Sequence, residues 1–332
     1  MPAISVVIPT FNNAHLIGEA LESVFAQSFR DYEIIVIDDG STDATRELLK
    51  PHAQRITYHH QQNQGLAVAR NVGLGLARGK YVTYLDADDI WHPQNLRAKH
   101  DVLTRFPELG GVFSDFLIFD VSGVRAPRGT KELFPFFART GLDFKDIFQE
   151  THTVQVEAGR SATVYVGHVF DKLFWGNFIL PSSMVFNRSF AQAVGEFRAH
   201  MRTQQDYEYW LRFSKHHPFA YVDDVLVNYR RHAQQLTDHS KIERILLAVL
   251  EIVDLYEEEF YRAGKARLYD RRKVEILTNL AKVYIRQSKT AKARAMVQAA
   301  IQRDPRFWQS YFHYALSFVP YPWMARVRSL LR

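Results

Sequence analysis

The chain has 332 residues, 47% of them hydrophobic, and no cysteine. This excludes a disordered polymer, a disulfide scaffold and any thiolate metal site, so a bound metal would need oxygen or imidazole ligands. The formal charge of +6 is uneven: 10 Lys and Arg stand against 13 Asp and Glu in residues 1–110, 14 against 14 in 111–240, and 18 against 9 in 241–332.

In the first ninety residues, short β-branched or aromatic runs alternate with polar turns and segments of helical period. Ile4 to Ile8, Tyr32 to Ile37, Arg55 to His60 and Tyr81 to Leu85 read as strands about 25 residues apart, the spacing of successive strand–helix units in a parallel sheet. Leu16, Ile17, Ala20, Leu21, Val24 and Phe25 lie on one helix face, Ser41 or Thr42 is a candidate cap for the next helix, and Leu66 to Ala77 reads as a third. The fold class expected is α/β, with helices on both faces and ligands at the carboxyl ends of the strands. Residues 111–178 read as an irregular, aromatic-rich insertion whose rings serve either as its local core or as stacking faces for a sugar. Gln205 to His216 then has helical spacing, and Phe219 to Tyr229 reads as one or two short strands. The last ninety residues are helical in pattern, with Leu246, Leu247, Leu250 and Val253 on one face and Leu277, Leu280, Ala281 and Tyr284 on another.

The acids at the end of the fourth strand, in YVTYLDADD, are the strongest chemical signal. In extended chain, Asp86 and Asp88 project to one side. A magnesium or manganese ion is commonly held by one or two carboxylates, with phosphate oxygens and water completing its shell. The alternative is that these acids merely end the strand and cap the helix near Pro93, the reading preferred for Asp89. In IIVIDDGST a second acidic pair ends a strand; Asp39 can accept a hydrogen bond from a base edge, or the segment is simply an Asp-Gly-Ser turn. Neither a dinucleotide-binding glycine fingerprint nor a phosphate-binding Gly-Lys loop is present.

The ordered set SVVIPTFNN, IIVIDDGSTD, NQGLAVARNVG and YLDADD closely resembles the family 2 glycosyltransferases, whose nucleotide-sugar domain has the GT-A fold. The resemblance implies an inverting transfer from a nucleotide-sugar donor, UDP-linked by preference, to a glycan, lipid-linked or other hydroxyl acceptor. Pro9, Thr10 and Asn12 would lie along the nucleoside pocket, Asp39 would contact the base, and Gly65 and Arg70 would border it. Asp86 and Asp88 correspond to the family's D-x-D motif at the ribose and the metal-bound diphosphate, with Asp88 the ligand to Mn²⁺ or Mg²⁺. Inversion needs a base for the acceptor hydroxyl. Asp206, in TQQDYEYWLRF, matches the family's acidic motif; a helix cap is the alternative reading, and Glu208 is the fallback base. Gln205 departs from the family, which usually carries Glu there, and favours the alternative of an inactive nucleotide-sugar- or glycan-binding module. FILPSSMVFNRS resembles the segment lining the acceptor pocket, and Tyr229-Arg230-Arg231-His232 a loop over the diphosphate in which Arg231 and His232 would neutralise leaving-group charge.

The expected organisation is a glycosyltransferase domain over 1–240, divided into a nucleotide-sugar half (1–110) and an acceptor half (111–240), then a helical region over 241–332. The absence of a long apolar run or a leader-like start gives a cytoplasmic expectation. Nucleic-acid binding, attraction to anionic lipid and a solvated surface are all readings of the basic last third. Tyr321, Trp323, Leu330 and Leu331 among Arg326, Arg328 and Arg332 suit peripheral contact with the inner membrane face. Nucleic acid is not expected as a partner.

Overall fold

The four apolar runs of the first ninety residues pair side by side in the computed structural model, which describes residues 1–232, 235, 241–307, 311, 312, 314 and 317. They form β1 (Ile4–Thr10), β2 (Tyr32–Asp38), β3 (Thr57–His60) and β4 (Tyr81–Tyr84). β1 pairs in parallel with β2 and β4, and β2 with β3. Parallel neighbours require crossovers, supplied by α1 (Ile17–Phe25), α2 (Thr45–Leu49) and α3 (Leu66–Leu76). Alternation along β1 puts helices on both faces. Val6 and Ile8 share a core with Ile17, Ala20 and Val24 of α1, while a Cβ on Gly73 of α3 would fall 2.2 Å from Val7 Cγ1.

One expected cap is corrected. Neither Ser41 nor Thr42 caps α2: Ser41 Oγ accepts the Asn12 N–H and the Thr42 N–H donates to Asn12 Oδ1. Asp43 Oδ1 instead takes the Thr45 N–H and hydroxyl at the start of α2.

The sheet continues through β5 (Ile90–Trp91), β6 (Gly111–Asp120), β7 (Gly123–Ala126), β8 (Glu150–Glu157), β9 (Arg160–Gly167), β10 (Val185–Asn187) and β11 (Phe219–Arg230). Its main order is β3-β2-β1-β4-β10-β6-β11-β9-β8. β10 runs antiparallel to both β4 and β6, breaking the parallel run, while β6 and β11 are parallel. Interspersed are α4 (Asn95–Arg105), the short α5 (Thr130–Leu133), α6 (Pro135–Thr140), α7 (Phe144–Ile147) and α8 (Phe170–Phe174), then α9 (Arg188–Val194) and α10 (Gln205–Ser214).

Residues 111–178, expected to be irregular, therefore contribute four strands. In β8, Val154 and Val156 alternate with exposed polar residues, and Thr and Gln in that alternation hide the period of two. The aromatic residues do form a local core: Phe113, Phe136, Phe137, Phe144 and Phe178 meet ring to ring, and Phe144 stacks on Tyr221 at 3.6 Å.

The chain divides into two compact units, Met1–Gln234 and Gln235–Arg332. The second contains α11 (Ile242–Asp254), α12 (Glu257–Arg262), α13 (Ala266–Arg286) and α14 (Thr290–Arg303). α13 and α14 make a hairpin around Val274, Leu277 and Ala300. The buried face of α11 is Val249, Ile252 and Val253; Leu247, expected on that face, is 43% exposed. No helix among the described residues is long and apolar enough to cross a membrane. Residues 318–332, with the expected membrane contact, lie outside the described residues.

Candidate functional site

Where β1 and β2 end, adjacent strands are tied by the residues that follow them. The Asp39 N–H donates to Thr10 O at 2.9 Å. The buried Asp39 carboxylate accepts from Gln61 Nε2 (2.7 Å) and the backbone N–H groups of Gln64 (2.9 Å) and Gly65 (2.7 Å). A carboxylate has about four acceptor directions, so one remains for a ligand donor. Asp38 accepts from the Ser41 N–H and the Tyr58 hydroxyl; burial, then the hydrogen bond to Asp38, push that hydroxyl above its ordinary range.

Pro9 and Thr10 are the last two residues of β1, and Thr10 Oγ1 is buried without a protein partner. Asn12, with φ +54° in the left-handed region, joins this exit to the Ser41–Thr42 turn. Gly65, at φ +94°, is the N-cap of α3 and lies beside the Arg202 guanidinium.

At the next strand end, extended chain was expected through Asp88. β4 instead stops at Tyr84, and Asp86 to Asp89 form a turn closed by Asp89 N–H to Asp86 O at 3.0 Å. The alternation nevertheless survives in exposure: Asp86 and Asp88 are partly exposed, whereas Leu85, Ala87 and Asp89 are buried. Arg70, almost wholly buried in α3, donates from Nη2 to Asp86 Oδ1 at 2.9 Å and lies over the Tyr84 and Phe197 rings. Burial raises the Asp86 pKa, the Arg70 cation opposes this, and Asp88 adds to it.

Asp89 does not cap α4, which starts after Gln94 with no side-chain cap. It is 1% exposed, and its Oδ1 accepts the Arg230 N–H at 3.2 Å. Burial, then Asp88 and Asp86, hold its carboxyl well above the ordinary range.

Residues from the second half of the first unit approach the same turn. Asp206 lies in the first turn of α10, where Gln204, at φ +59°, is the N-cap, so Asp206 is not the cap residue. Asn177 Nδ2 donates to Asp206 Oδ2 at 3.3 Å. Burial raises the Asp206 pKa, Arg70 opposes the rise and Asp86 reinforces it. Arg70 is thus the cation shared by Asp86 and Asp206. Gln205 is buried with its amide oxygen unpartnered.

Glu208, the fallback base, is fully buried and engaged by Arg198 at 2.9 Å and Arg212 at 3.0 Å. Its carboxylate belongs to the packing of α10, and that reading is corrected. His232 Nε2 meets Asp88 Oδ2 at 2.9 Å. Arg231 is exposed and gives its backbone N–H to Phe119 O at 2.7 Å.

Four further residues brace the cluster in roles that were not expected from the sequence. Arg230 donates from Nε to Asp88 O and from Nη2 to Glu19. Ser182 Oγ accepts the Asp86 N–H, and Ser182 O the Trp91 ring N–H. The other two are Asn177 and Asp89. The only signal was that Asn177 and Ser182 lie in or beside FILPSSMVFNRS, and Arg230 next to Arg231.

Among the described residues no group of three or more His, Asp or Glu side chains is arranged to hold a metal ion. Asp88 with Asp86 beside it fits a hard cation that takes one or two carboxylates and completes its shell from a diphosphate and water.

Residues 5–156 match the family described as Glycosyl transferase family 2. An uncharacterized glycosyltransferase of Rickettsia prowazekii is 24% identical over 243 residues, 71% of this chain and 66% of that protein. A second relative, from Rickettsia felis, matches over 79% of this chain and 40% of its own length. The chain thus spans two thirds or less of these curated relatives. Among solved structures, S. aureus TarS superposes with a TM-score of 0.60 at 17% identity, covering 96% of this chain and 54% of TarS. A shorter form, TarS 1-349, has been determined with UDP-GlcNAc. The mannosyltransferase PcManGT of Pyrobaculum calidifontis, determined with GDP-Man and Mn²⁺, gives 0.55 at 17% identity, covering 99% of this chain and 84% of that one. At these identities the likeness is one of fold.

Proposed function

We propose, from the premise that this chain belongs to the family 2 glycosyltransferases and has their GT-A fold, that it transfers a sugar from a nucleotide-sugar donor to a hydroxyl acceptor with inversion. The observation that carries this reading is the convergence of Asp86 and Asp206 on the buried Arg70 at the carboxyl end of β4, with Asp88 beside Asp86. The nucleoside would lie along Pro9, Thr10 and Asn12, bordered by Gly65 and Arg70. The remaining acceptor direction of Asp39 suits a base donor such as the ring N–H of uracil or a similar base edge, and a UDP-sugar is the preferred donor by family resemblance. The acceptor is a glycan, lipid-linked or other hydroxyl compound, used on the cytoplasmic side in cell-surface polysaccharide or glycoconjugate synthesis.

Asp206 takes the proton of the acceptor hydroxyl as its oxygen attacks the anomeric carbon. The bond from that carbon to the diphosphate oxygen breaks on the opposite face. A carboxylate whose pKa is raised by burial is a stronger base than an exposed one, and its ionised form is the one that accepts the proton. Arg70 keeps that form accessible. Mn²⁺ or Mg²⁺, held by Asp88 with Asp86 beside it, supplies positive charge at the diphosphate when bound. Arg231 and His232 add cationic and hydrogen-bonding capacity at the leaving group.

A screen of nucleotide sugars with Mn²⁺ or Mg²⁺, read by nucleoside diphosphate release, tests the proposal. Release from one donor is expected. The buried Gln205, in place of an acid, favours a second reading as a binding module; calorimetric donor binding with no turnover over an acceptor panel would establish that instead.

A further inference from the structure

The Asn177 side chain has its two ends committed to different partners. Its Oδ1 accepts the Ile179 N–H at 3.0 Å, an Asx turn two residues on, and its Nδ2 donates to Asp206 Oδ2 at 3.3 Å. Chemistry fixes this orientation. A backbone N–H only donates and an ionised carboxylate only accepts, so both contacts require the amide oxygen on Ile179 and the NH₂ on Asp206. The turn that holds Asn177 opens the same stretch whose Ser182 accepts the Asp86 N–H at 3.1 Å. One segment, 177–182, therefore fixes both the D-x-D turn and the base of α10.

We infer that Asn177 is a positioning residue for the transfer: its amide orients the Asp206 carboxylate toward the acceptor hydroxyl and stabilises its ionised form. This rests on Asp206 being the base. The carboxylate also accepts from the backbone N–H groups of Asp206 and Tyr207; held at Oδ2 by Asn177, it would present a remaining acceptor direction to the hydroxyl proton. Its length of 3.3 Å leaves room to tighten once donor and acceptor are bound.

The test compares Asn177→Asp with Asn177→Ala, read by nucleoside diphosphate release from the donor selected in the screen. Asn177→Asp keeps the shape and the acceptor for the Ile179 N–H, so a role confined to the turn is preserved. It also places a carboxylate oxygen against Asp206. Both variants are expected to lower kcat by about ten-fold or more and to leave donor affinity unchanged. Both should move the acid limb of the pH–rate profile upward, the Asp variant further than the Ala variant. In an Asp206→Asn background neither should lower the residual rate again, because residues acting through one group are not additive.

Wild-type kcat and pH profile in Asn177→Asp, beside an inactive Asp206→Asn, would overturn the Asn177 role alone. So would a loss that multiplies with that of Asp206→Asn. A wild-type rate in Asp206→Asn would overturn the base reading and this inference together.

Discussion

In residues 1–110 the polar groups of the site stand at the ends of adjacent parallel strands and are fixed largely by nearby backbone. Asp39, for example, takes the N–H groups of Gln64 and Gly65. In residues 111–234 the corresponding groups arrive from separate stretches of chain: Asn177 and Ser182 beside β10, Asp206 on α10, Arg230 and His232 at the end of β11. A strand-end site is encoded locally, so its motifs are contiguous. A converging site is encoded in packing, and its members tolerate different spacing provided the packing brings them together.

The largest expected effect tests the converging half. Asp206→Asn should lower transfer by about 10²- to 10⁴-fold while calorimetry shows donor binding retained. Wild-type transfer should fall on the acid side at a pH above the ordinary carboxylate range of about 4, because burial raises the Asp206 pKa. The sign for stability is opposite to that for activity. A folded-state pKa above the unfolded one means that folding favours the protonated form. The cost of the charge is absent below the unfolded value, grows as pH rises toward the folded value, and is constant beyond it. Asp206→Asn should therefore melt higher than wild type at neutral pH, with the gain disappearing in acid.

Glu208 comes next, two residues away on the same helix. Glu208 is fully buried while its partners Arg198 and Arg212 are partly exposed, so Glu208→Gln loses charge-assisted hydrogen bonds and should cost about 1–2 kcal/mol of unfolding free energy, measured by denaturant titration. The contrast between a less active but more stable Asp206→Asn and a destabilised Glu208→Gln separates the two acids. Equal stability losses would erase that distinction.

How much of this was legible in the sequence follows the same division. The four parallel strands, the helix face of α1 and the extent of α3 were readable because each is a continuous local segment. β6, β8 and β9 were not: aromatic residues pack across elements, as Phe144 does on Tyr221, and polar residues on the outer face mask the alternation. Asp86 and Asp88 were legible as a motif, but the turn that holds them was not, since Ser182 closes it from 96 positions away. Glu208 looked like a base because sequence shows an acid beside Asp206. Arg212 lies one turn on in the same helix, but the opposing Arg198 becomes visible only when α10 is folded against its neighbours.

In the strand-end half, Asp88→Asn should reduce transfer by about 10²-fold and weaken the dependence on Mn²⁺ or Mg²⁺. Chelation of wild type should produce a loss of similar size. If Asp88→Asn lost activity yet kept the wild-type metal titration, Asp88 would act through His232 or the turn rather than through a cation.

The smallest effect belongs to Gly65, and it asks how far local backbone alone sets the nucleoside end. At φ +94° an alanine is strained by about 1–2 kcal/mol. Its Cβ would also come within 2.5 Å of Arg202 Nη1. That atom is the tip of a flexible side chain, which can swing aside cheaply at the expense of its 3.0 Å hydrogen bond to Gln64 O. The main cost is therefore the strained dihedral. It falls on the residue whose N–H holds Asp39 Oδ2 at 2.7 Å. Gly65→Ala should accordingly weaken donor binding several-fold, by calorimetry, with kcat at saturating donor little changed, because Asp206 and Asn177 are held by other elements. A loss confined to kcat would mean that the strand-end and converging halves are mechanically coupled through α3, which carries both Gly65 at its start and Arg70 in its first turns.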